Sequence, residues 1–160
     1  MATELKEGQP APDFTVETDK GETVSLKDFT GKRVVLYFYP KDNTPGCNME
    51  ACGFRDNMDM LEGEGAAVVG VSLDDAASHQ KFRAKFDLPF TLLTDTEHKV
   101  ADAYGVYGQK SFLGKKYMGV DRATFIIGPD GKLEKVWAKV NPLGHAKSVL
   151  AWLQENKVGS

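Results

Sequence analysis

The run from Val34 to Tyr39 most restricts what this chain can fold into. Its six residues are all apolar or aromatic, and most are of types that favour β-strands, which is typical of a strand buried on both faces. Pro40 ends the run. Thr44 and Pro45 then have the side chains favoured at the N-cap and at the first position of a helix. The segment therefore predicts a buried strand of an α/β sheet, a turn, and a helix that runs to about Glu62.

The rest of the chain also divides into strands and helices. Strands are predicted at 14–16 and 23–26 as a hairpin, at 67–72, at 90–93, and at 123–127 and 133–138 as a second hairpin; helices are predicted at 76–86, about 97–104 and about 144–156. This order predicts a thioredoxin-like α/β fold, in which a central mixed β-sheet is flanked by helices and carries an N-terminal β-hairpin extension. We expect a single domain over residues 1–160. A flavodoxin-like sheet would fit the same strand pattern.

Charge and hydropathy exclude several classes of partner. The chain has 160 residues and a net charge of −3, and its lysines and arginines are scattered. This balance gives no sign of a nucleic-acid or anionic-membrane surface. No apolar run approaches the roughly 20 residues of a membrane span, and the first residues lack the pattern of a signal peptide. We therefore expect a cytoplasmic protein.

The chain has two cysteines, Cys47 and Cys52, and a pair this close is more often redox-active or metal-binding than structural. A zinc site is not favoured, because the C-x₄-C spacing lacks a second pair of ligands. The histidines are distant in sequence and are expected at the surface rather than as ligands: His79, His98 and His145. The pair also differs from the C-x-x-C dithiol of a disulfide reductase.

The predicted helix start makes Cys47 the candidate nucleophile. If Thr44 is the N-cap, Cys47 lies in the first helical turn, where free backbone N–H groups and the helix dipole favour an anion. That position favours the thiolate, which is the nucleophilic form of cysteine. Gly46 lets a small substrate approach the backbone, and the Thr44 hydroxyl can hydrogen-bond a small polar ligand.

Helix geometry separates the two thiols. Residues five apart on an α-helix differ by about 140° in direction and by about 7.5 Å in rise. Their Cα atoms then lie beyond the roughly 7 Å limit for a disulfide. Cys47 and Cys52 could bond only if the first turns of the helix unwound. A stable structural disulfide would not be built this way, whereas a transient catalytic one could be.

These residues resemble the active site of a peroxiredoxin. The signature P-x-x-x-T-x-x-C is matched in full by Pro40, Thr44 and Cys47. The strings YFYPKDNTPGC and EACGFRD resemble the Q-type subfamily, also called the bacterioferritin comigratory protein type. GVSLDDAASHQKF, FTLLTD, RATFIIGPDGKL and the final helix follow the same pattern, so the resemblance covers nearly the whole chain.

The resemblance implies a thiol-specific peroxidase that reduces hydrogen peroxide and organic hydroperoxides to water and alcohols. Cys47 would be the peroxidatic cysteine, and Thr44 would hydrogen-bond the peroxide. Pro40 would shield the thiolate, and Arg122 would sit beside the sulfur. Cys52 matches the resolving position of Q-type members that carry it on the same helix.

The implied cycle oxidises Cys47 to a sulfenic acid, which Cys52 converts to a disulfide after local unfolding of the helix. Thioredoxin or a similar dithiol protein would reduce this disulfide. No organic cofactor or metal is implied, and the Q-type resemblance favours a monomer.

Two alternatives and one departure from the family pattern remain. A thiol–disulfide oxidoreductase of the same fold would need an active C-x-x-C, which is absent. A non-catalytic redox-sensing module would leave the combination of Thr44, Cys47 and Arg122 unexplained. Asn48 and Met49 stand where the subfamily commonly has Thr and a charged residue, so peroxide preference or the reductant surface would be the properties to differ.

Overall fold

The apolar run forms the middle strand of the structure, a computed structural model that describes residues 3–157. The elements are β1 (Thr15–Glu17), β2 (Thr23–Ser25), a 3₁₀ helix (Leu26–Phe29), β3 (Arg33–Phe38), α1 (Pro45–Asp56), α2 (Met58–Gly63), β4 (Ala66–Ser72), α3 (Ala76–Phe86), β5 (Thr91–Thr94), α4 (Lys99–Ala103), β6 (Tyr107–Phe112), β7 (Lys115–Val120), β8 (Ala123–Ile127), β9 (Leu133–Trp137) and α5 (His145–Glu155).

The main sheet has five strands in the order β5-β4-β3-β8-β9. β3, β4 and β5 are parallel, whereas β8 pairs antiparallel with both β3 and β9. The antiparallel strands exclude the flavodoxin-like alternative and confirm the mixed, thioredoxin-like sheet. The predicted N-terminal hairpin is also confirmed, because β1 and β2 pair antiparallel as a separate sheet.

Alternation along β3 divides the interior into two cores. Val35 and Tyr37 point to the face covered by α1, α2 and α5, and Cys47 belongs to this core. Leu36 and Phe38 point to the opposite face, which α4 covers. All five residues are at most 1% exposed. The fold therefore places the candidate nucleophile inside a packed core rather than on an open surface.

The predicted long helix is wrong at its C-terminal end. Instead of running to about Glu62, α1 stops at Asp56, and α2 begins after Asn57. The side-chain amide of Asn57 donates to the carbonyl oxygen of Gly53 at 2.7 Å, a local bond that competes with the helical backbone pattern. Gly53 also allows close packing on α5, since a Cβ there would lie 3.2 Å from Cβ of Ala146.

A further antiparallel hairpin, β6–β7, was not expected from the sequence. Its outer part carries exposed apolar side chains: Phe112, Leu113, Tyr117 and Met118. Because the apolar residues are not confined to one face, the segment lacks the alternation by which a half-buried strand is predicted. Within residues 3–157, no helix is both long and apolar enough to cross a membrane.

Gly70 of β4 tests the packing around Tyr37. A Cβ at Gly70 would lie 3.0 Å from two ring carbons of Tyr37 and 3.1 Å from Cδ2 of Leu92. Gly70→Ala should therefore lower the free energy of unfolding by about 1–3 kcal/mol, measured by urea denaturation. The matched control is Gly108→Ala in β6, where a Cβ would meet nothing within 4 Å. That change should stay within about 0.5 kcal/mol, and equal losses in the two variants would contradict the packing argument.

Candidate active site

Cys47 is the third residue of α1, and the sequence places it there through ordinary helix-start rules. Thr44 occupies the N-cap with an extended backbone, and Pro45 is the first helical residue. The Thr44 side chain does not cap the helix; its hydroxyl instead donates to the carbonyl oxygen of Lys41 at 3.0 Å. The first-turn N–H groups of Gly46 and Cys47 therefore stay available to an anion or to a developing oxyanion.

Arg122 reaches Cys47 from a point 75 residues away in sequence, between β7 and β8. Its Nη2 donates to Cys47 Sγ at 3.4 Å. Its carbonyl oxygen accepts from the Val140 N–H at 3.0 Å, which holds the backbone of the segment. Gly46 makes room for the guanidinium, since a Cβ there would lie 3.1 Å from Nη2 and 3.4 Å from Cγ of Pro142.

Glu50 completes a buried cluster that was not predicted. It follows Cys47 by three residues, so both side chains lie on one side of α1. Arg122 Nη1 donates to Glu50 Oε1 at 2.8 Å, while Oε2 is buried and has no hydrogen-bond partner among residues 3–157. Burial raises the pKa of Glu50 to about 7, although the charge and hydrogen bond of Arg122 act to lower it. Burial lowers the pKa of Arg122, but the charges of Glu50 and Cys47 outweigh it and raise the value.

Two neutral groups border this cluster. The Tyr37 hydroxyl is buried without a hydrogen-bond partner, and burial, followed by the charges of Glu50 and Cys47, raises its pKa well above the ordinary value. His145 is buried, and its Nε2 lies 2.8 Å from Thr124 Oγ1. Burial and the charge of Arg122 lower the pKa of His145 to about 4, so the imidazole is neutral at pH 7.

A second buried network anchors the loop before Cys47. Asp42 accepts from the hydroxyls of Tyr39 and Ser78, at 2.6 and 2.8 Å, and pairs with His79 Nδ1 at 2.6 Å. The Nε2 atom of His79 lies 2.8 Å from the carbonyl oxygen of Leu93. Burial lowers the pKa of His79, but the hydrogen bond and charge of Asp42 and the Leu93 carbonyl outweigh it and raise the value. The loop is thus fixed to α3 and β5 by buried hydrogen bonds through His79 and Ser78.

The surface position expected for the histidines is wrong for two of them. His79 is fully buried and His145 is 5% exposed, whereas the side chain of His98 is 42% exposed and pairs with Asp102 at the surface. Each buried ring is satisfied by a hydrogen-bond partner distant in sequence, which local patterning does not reveal.

Asp42, Asp74 and His79 could offer three metal-ligand atoms within 4.8 Å of one another. Both ring nitrogens of His79 already have partners, because Nδ1 lies 2.6 Å from Asp42 Oδ2 and Nε2 lies 2.8 Å from the carbonyl oxygen of Leu93. Asp74 Oδ2 already accepts from the Asp42 backbone N–H at 2.8 Å and from the Ser72 hydroxyl at 2.7 Å. The group is therefore best explained as the anchor of the loop.

The other predicted site residues differ in exposure. Pro40 is exposed, Thr44 is half-buried, and Cys52 is half-buried further along α1. Cys47 is 1% exposed, and both cysteines are free thiols in the intact helix. The structure brings Cys47 and Arg122 into contact and places Thr44 at the helix start. The catalytic roles of all five residues stay predictions.

Comparison with known proteins gives a consistent result. A family model described as the AhpC/TSA family matches residues 7–136. A putative peroxiredoxin Bcp of Coxiella burnetii is 50% identical over 149 residues, which cover 93% of this chain and 99% of the relative. Peroxiredoxin Q of Xanthomonas campestris has a similar structure, with a TM-score of 0.84 and 36% identity over 89% of this chain and 90% of that one.

A further solved structure is the bacterioferritin comigratory protein of Xanthomonas campestris, studied for its alkyl peroxide reduction activity. It has a TM-score of 0.86 and 33% identity, covering 94% of this chain and 98% of that one. The similarity therefore extends along nearly the whole chain and agrees with the resemblance that the motifs carry.

His79→Gln tests the loop anchor through its pH dependence. Because the folded pKa of His79 is raised, its stabilising effect is complete below the ordinary value of about 6.5 and is lost as the pH rises through the folded value. The stability difference between wild type and His79→Gln, from urea denaturation, should be about 3 kcal/mol at low pH and shrink above about pH 6.5. The control is His98→Gln, which breaks an exposed pair and should cost at most about 1 kcal/mol. A pH-independent difference for His79→Gln would contradict the buried charge.

Proposed function

The chain belongs to the AhpC/TSA family and is a thiol peroxidase of the peroxiredoxin type, and we propose that Cys47 is the sulfur that attacks the peroxide. The contact between Arg122 Nη2 and Cys47 Sγ at 3.4 Å is the observation that carries this proposal. A guanidinium beside the sulfur stabilises the thiolate and lies where negative charge develops on the leaving oxygen. The free N–H groups at the start of α1 add to the same field.

In the first step, the Cys47 thiolate attacks the terminal oxygen of the peroxide. A sulfur–oxygen bond forms, the O–O bond breaks, and its electron pair goes to the leaving oxygen, which takes up a proton to become water or an alcohol. The Thr44 hydroxyl donates its proton to the carbonyl oxygen of Lys41. Its oxygen can therefore accept a hydrogen bond from the O–H of the substrate. Pro40 would shield the sulfur from bulk water.

In the second step, Cys52 attacks the sulfenic acid of Cys47, water leaves, and a disulfide forms. Both residues lie in α1, so they cannot bond while this helix is intact. The proposed cycle therefore includes unwinding of the N-terminal turns of α1. A disulfide that holds the helix open would be strained and easily reduced.

Peroxiredoxins generally use a peroxide substrate and a thioredoxin-type reductant. For this chain we propose thioredoxin or a similar dithiol protein as the reductant, with both hydrogen peroxide and organic hydroperoxides as substrates. The alkyl peroxide activity studied in the Xanthomonas campestris relative supports the second substrate class. We further propose a monomeric, cytoplasmic protein in which residues 1–160 form one domain, since one chain carries both thiols.

Cys52→Ser separates the two steps. With one equivalent of peroxide, this variant should form the Cys47 sulfenic acid, seen by mass spectrometry as one added oxygen atom or as a trapped adduct, but no intramolecular disulfide. Cys47→Ser should abolish peroxide consumption with thioredoxin present. Turnover by Cys47→Ser would refute the assignment, and an intermolecular disulfide in Cys52→Ser would contradict the monomeric route.

Arg122→Lys tests the contact that carries the proposal. A single ammonium group cannot reproduce the two-pronged contact with Cys47 and Glu50. The rate constant for sulfenic acid formation, from stopped-flow measurements in the Cys52→Ser background, should fall by about 100-fold or more. Arg55→Lys in α1, the helix of Cys47, changes a side chain that pairs with Asp56 and should leave this step unchanged. Similar rates in the two variants would contradict the role of Arg122.

A further inference from the structure

Two buried acidic groups share one half-buried cation, Arg122, in this site. Arg122 donates to Glu50 Oε1 at 2.8 Å through Nη1 and to Cys47 Sγ at 3.4 Å through Nη2. Glu50 and Cys47 are each 1% exposed. The other titratable groups that border the cluster are Tyr37 from β3 and His145 from α5, and both are neutral near pH 7.

Such a cluster strongly prefers one negative charge at a time. Two buried anions on one cation leave an uncompensated charge, which is costly in a low-dielectric interior. While Cys47 is a thiolate, Glu50 is therefore favoured in its protonated form. Oxidation converts Cys47 to a neutral sulfenic acid, after which a Glu50 carboxylate is the group that balances Arg122.

We propose that Glu50 takes over the negative charge of the site when Cys47 is oxidised. This inference rests on the proposed role of Cys47. Glu50 does not touch the sulfur; it acts through Arg122 and is a positioning residue.

The geometry of Glu50 suits this exchange. Oε1 holds Arg122 in either state, whereas Oε2 accepts no hydrogen bond and is the oxygen that can carry the proton. Burial raises the pKa of Glu50 to about 7, so that proton is exchangeable near neutral pH. Loss of a neighbouring anion lowers the pKa of a carboxyl group, which is the direction that oxidation of Cys47 requires.

The exchange balances the first chemical step. Cys47 thiolate, hydroperoxide and protonated Glu50 are converted to Cys47 sulfenic acid, alcohol and Glu50 carboxylate. One proton leaves Glu50 and one is taken up by the leaving oxygen, so no net proton comes from solvent. The charge on Arg122, Cys47 and Glu50 together stays at zero before and after the reaction.

The second step also changes the surroundings of Glu50. Glu50 lies in α1 between the two cysteines, so unwinding this helix moves its carboxylate from the core into water. In the reduced protein, burial raises the pKa of Glu50, so the closed helix binds the proton more tightly than the open one. Oxidation of Cys47 weakens that preference for the proton, because loss of the neighbouring anion lowers the pKa of Glu50.

The experiment compares proton uptake in Cys52→Ser and in the double variant with Glu50→Gln. Each reduced protein is mixed with one equivalent of hydroperoxide in weak buffer with an indicator dye, at about pH 6.5 and with the thiolate checked by its ultraviolet absorbance. Cys52→Ser should take up much less than one proton per sulfenic acid, and the double variant about one. Equal uptake would overturn the inference.

A second measurement observes the carboxyl group directly. Infrared difference spectra of Cys52→Ser should show loss of a protonated carboxyl band when Cys47 is oxidised. The same difference signal should be seen in a Glu62→Gln control, since Glu62 is exposed on α2. It should be absent from the difference spectra of the variant with Glu50→Gln. No carboxyl change on oxidation in Cys52→Ser would also overturn the inference.

Mass spectrometry distinguishes failure of the proposed function from failure of the charge exchange. If Cys47 gains no oxygen atom, the proposed function fails. If Cys47 gains one and the proton uptake and carboxyl band do not depend on Glu50, the peroxidase stands and only the charge exchange fails.

Discussion

The site depends on one guanidinium held inside the protein between two acidic side chains. Arg122 is satisfied there because Glu50 and Cys47 of α1 both accept from it, and because Gly46 has no Cβ to displace it. Its backbone is fixed by Val140, which follows β9. The main sheet, α1 and the loop before α5 therefore meet at Arg122. A change in the charge of Glu50 or Cys47 alters the interactions of all three elements with this cation.

Local patterns predicted the part of the site that is local in sequence. The β-rich run ending at Pro40 and the helix start at Thr44 were sufficient to place Cys47 in the first turn of α1. Arg122 was assigned only through the family resemblance. The sequence around it gives no sign that its side chain contacts a thiol 75 residues away.

The features of the site that were missed are non-local. Glu50 has the spacing to share a helix face with Cys47, but its burial follows from contact with Arg122. His79 and His145 are buried because Asp42 and Thr124, from other elements, accept or donate to their rings. Helical periodicity cannot distinguish such residues from exposed ones, since a polar residue is expected outside unless its partner is known.

The buried loop anchor has a consequence for the motion of Cys47. Asp42 is fixed by His79 on one side, and Phe54 is packed in the core on the other, so an opened α1 is a short tether with both ends attached. A flexible segment of about 10 residues closes in about 10–100 ns, far faster than a typical enzyme turnover. In the proposed cycle, the start of α1 can thus unwind and form again in every turnover while the rest of the fold stays intact.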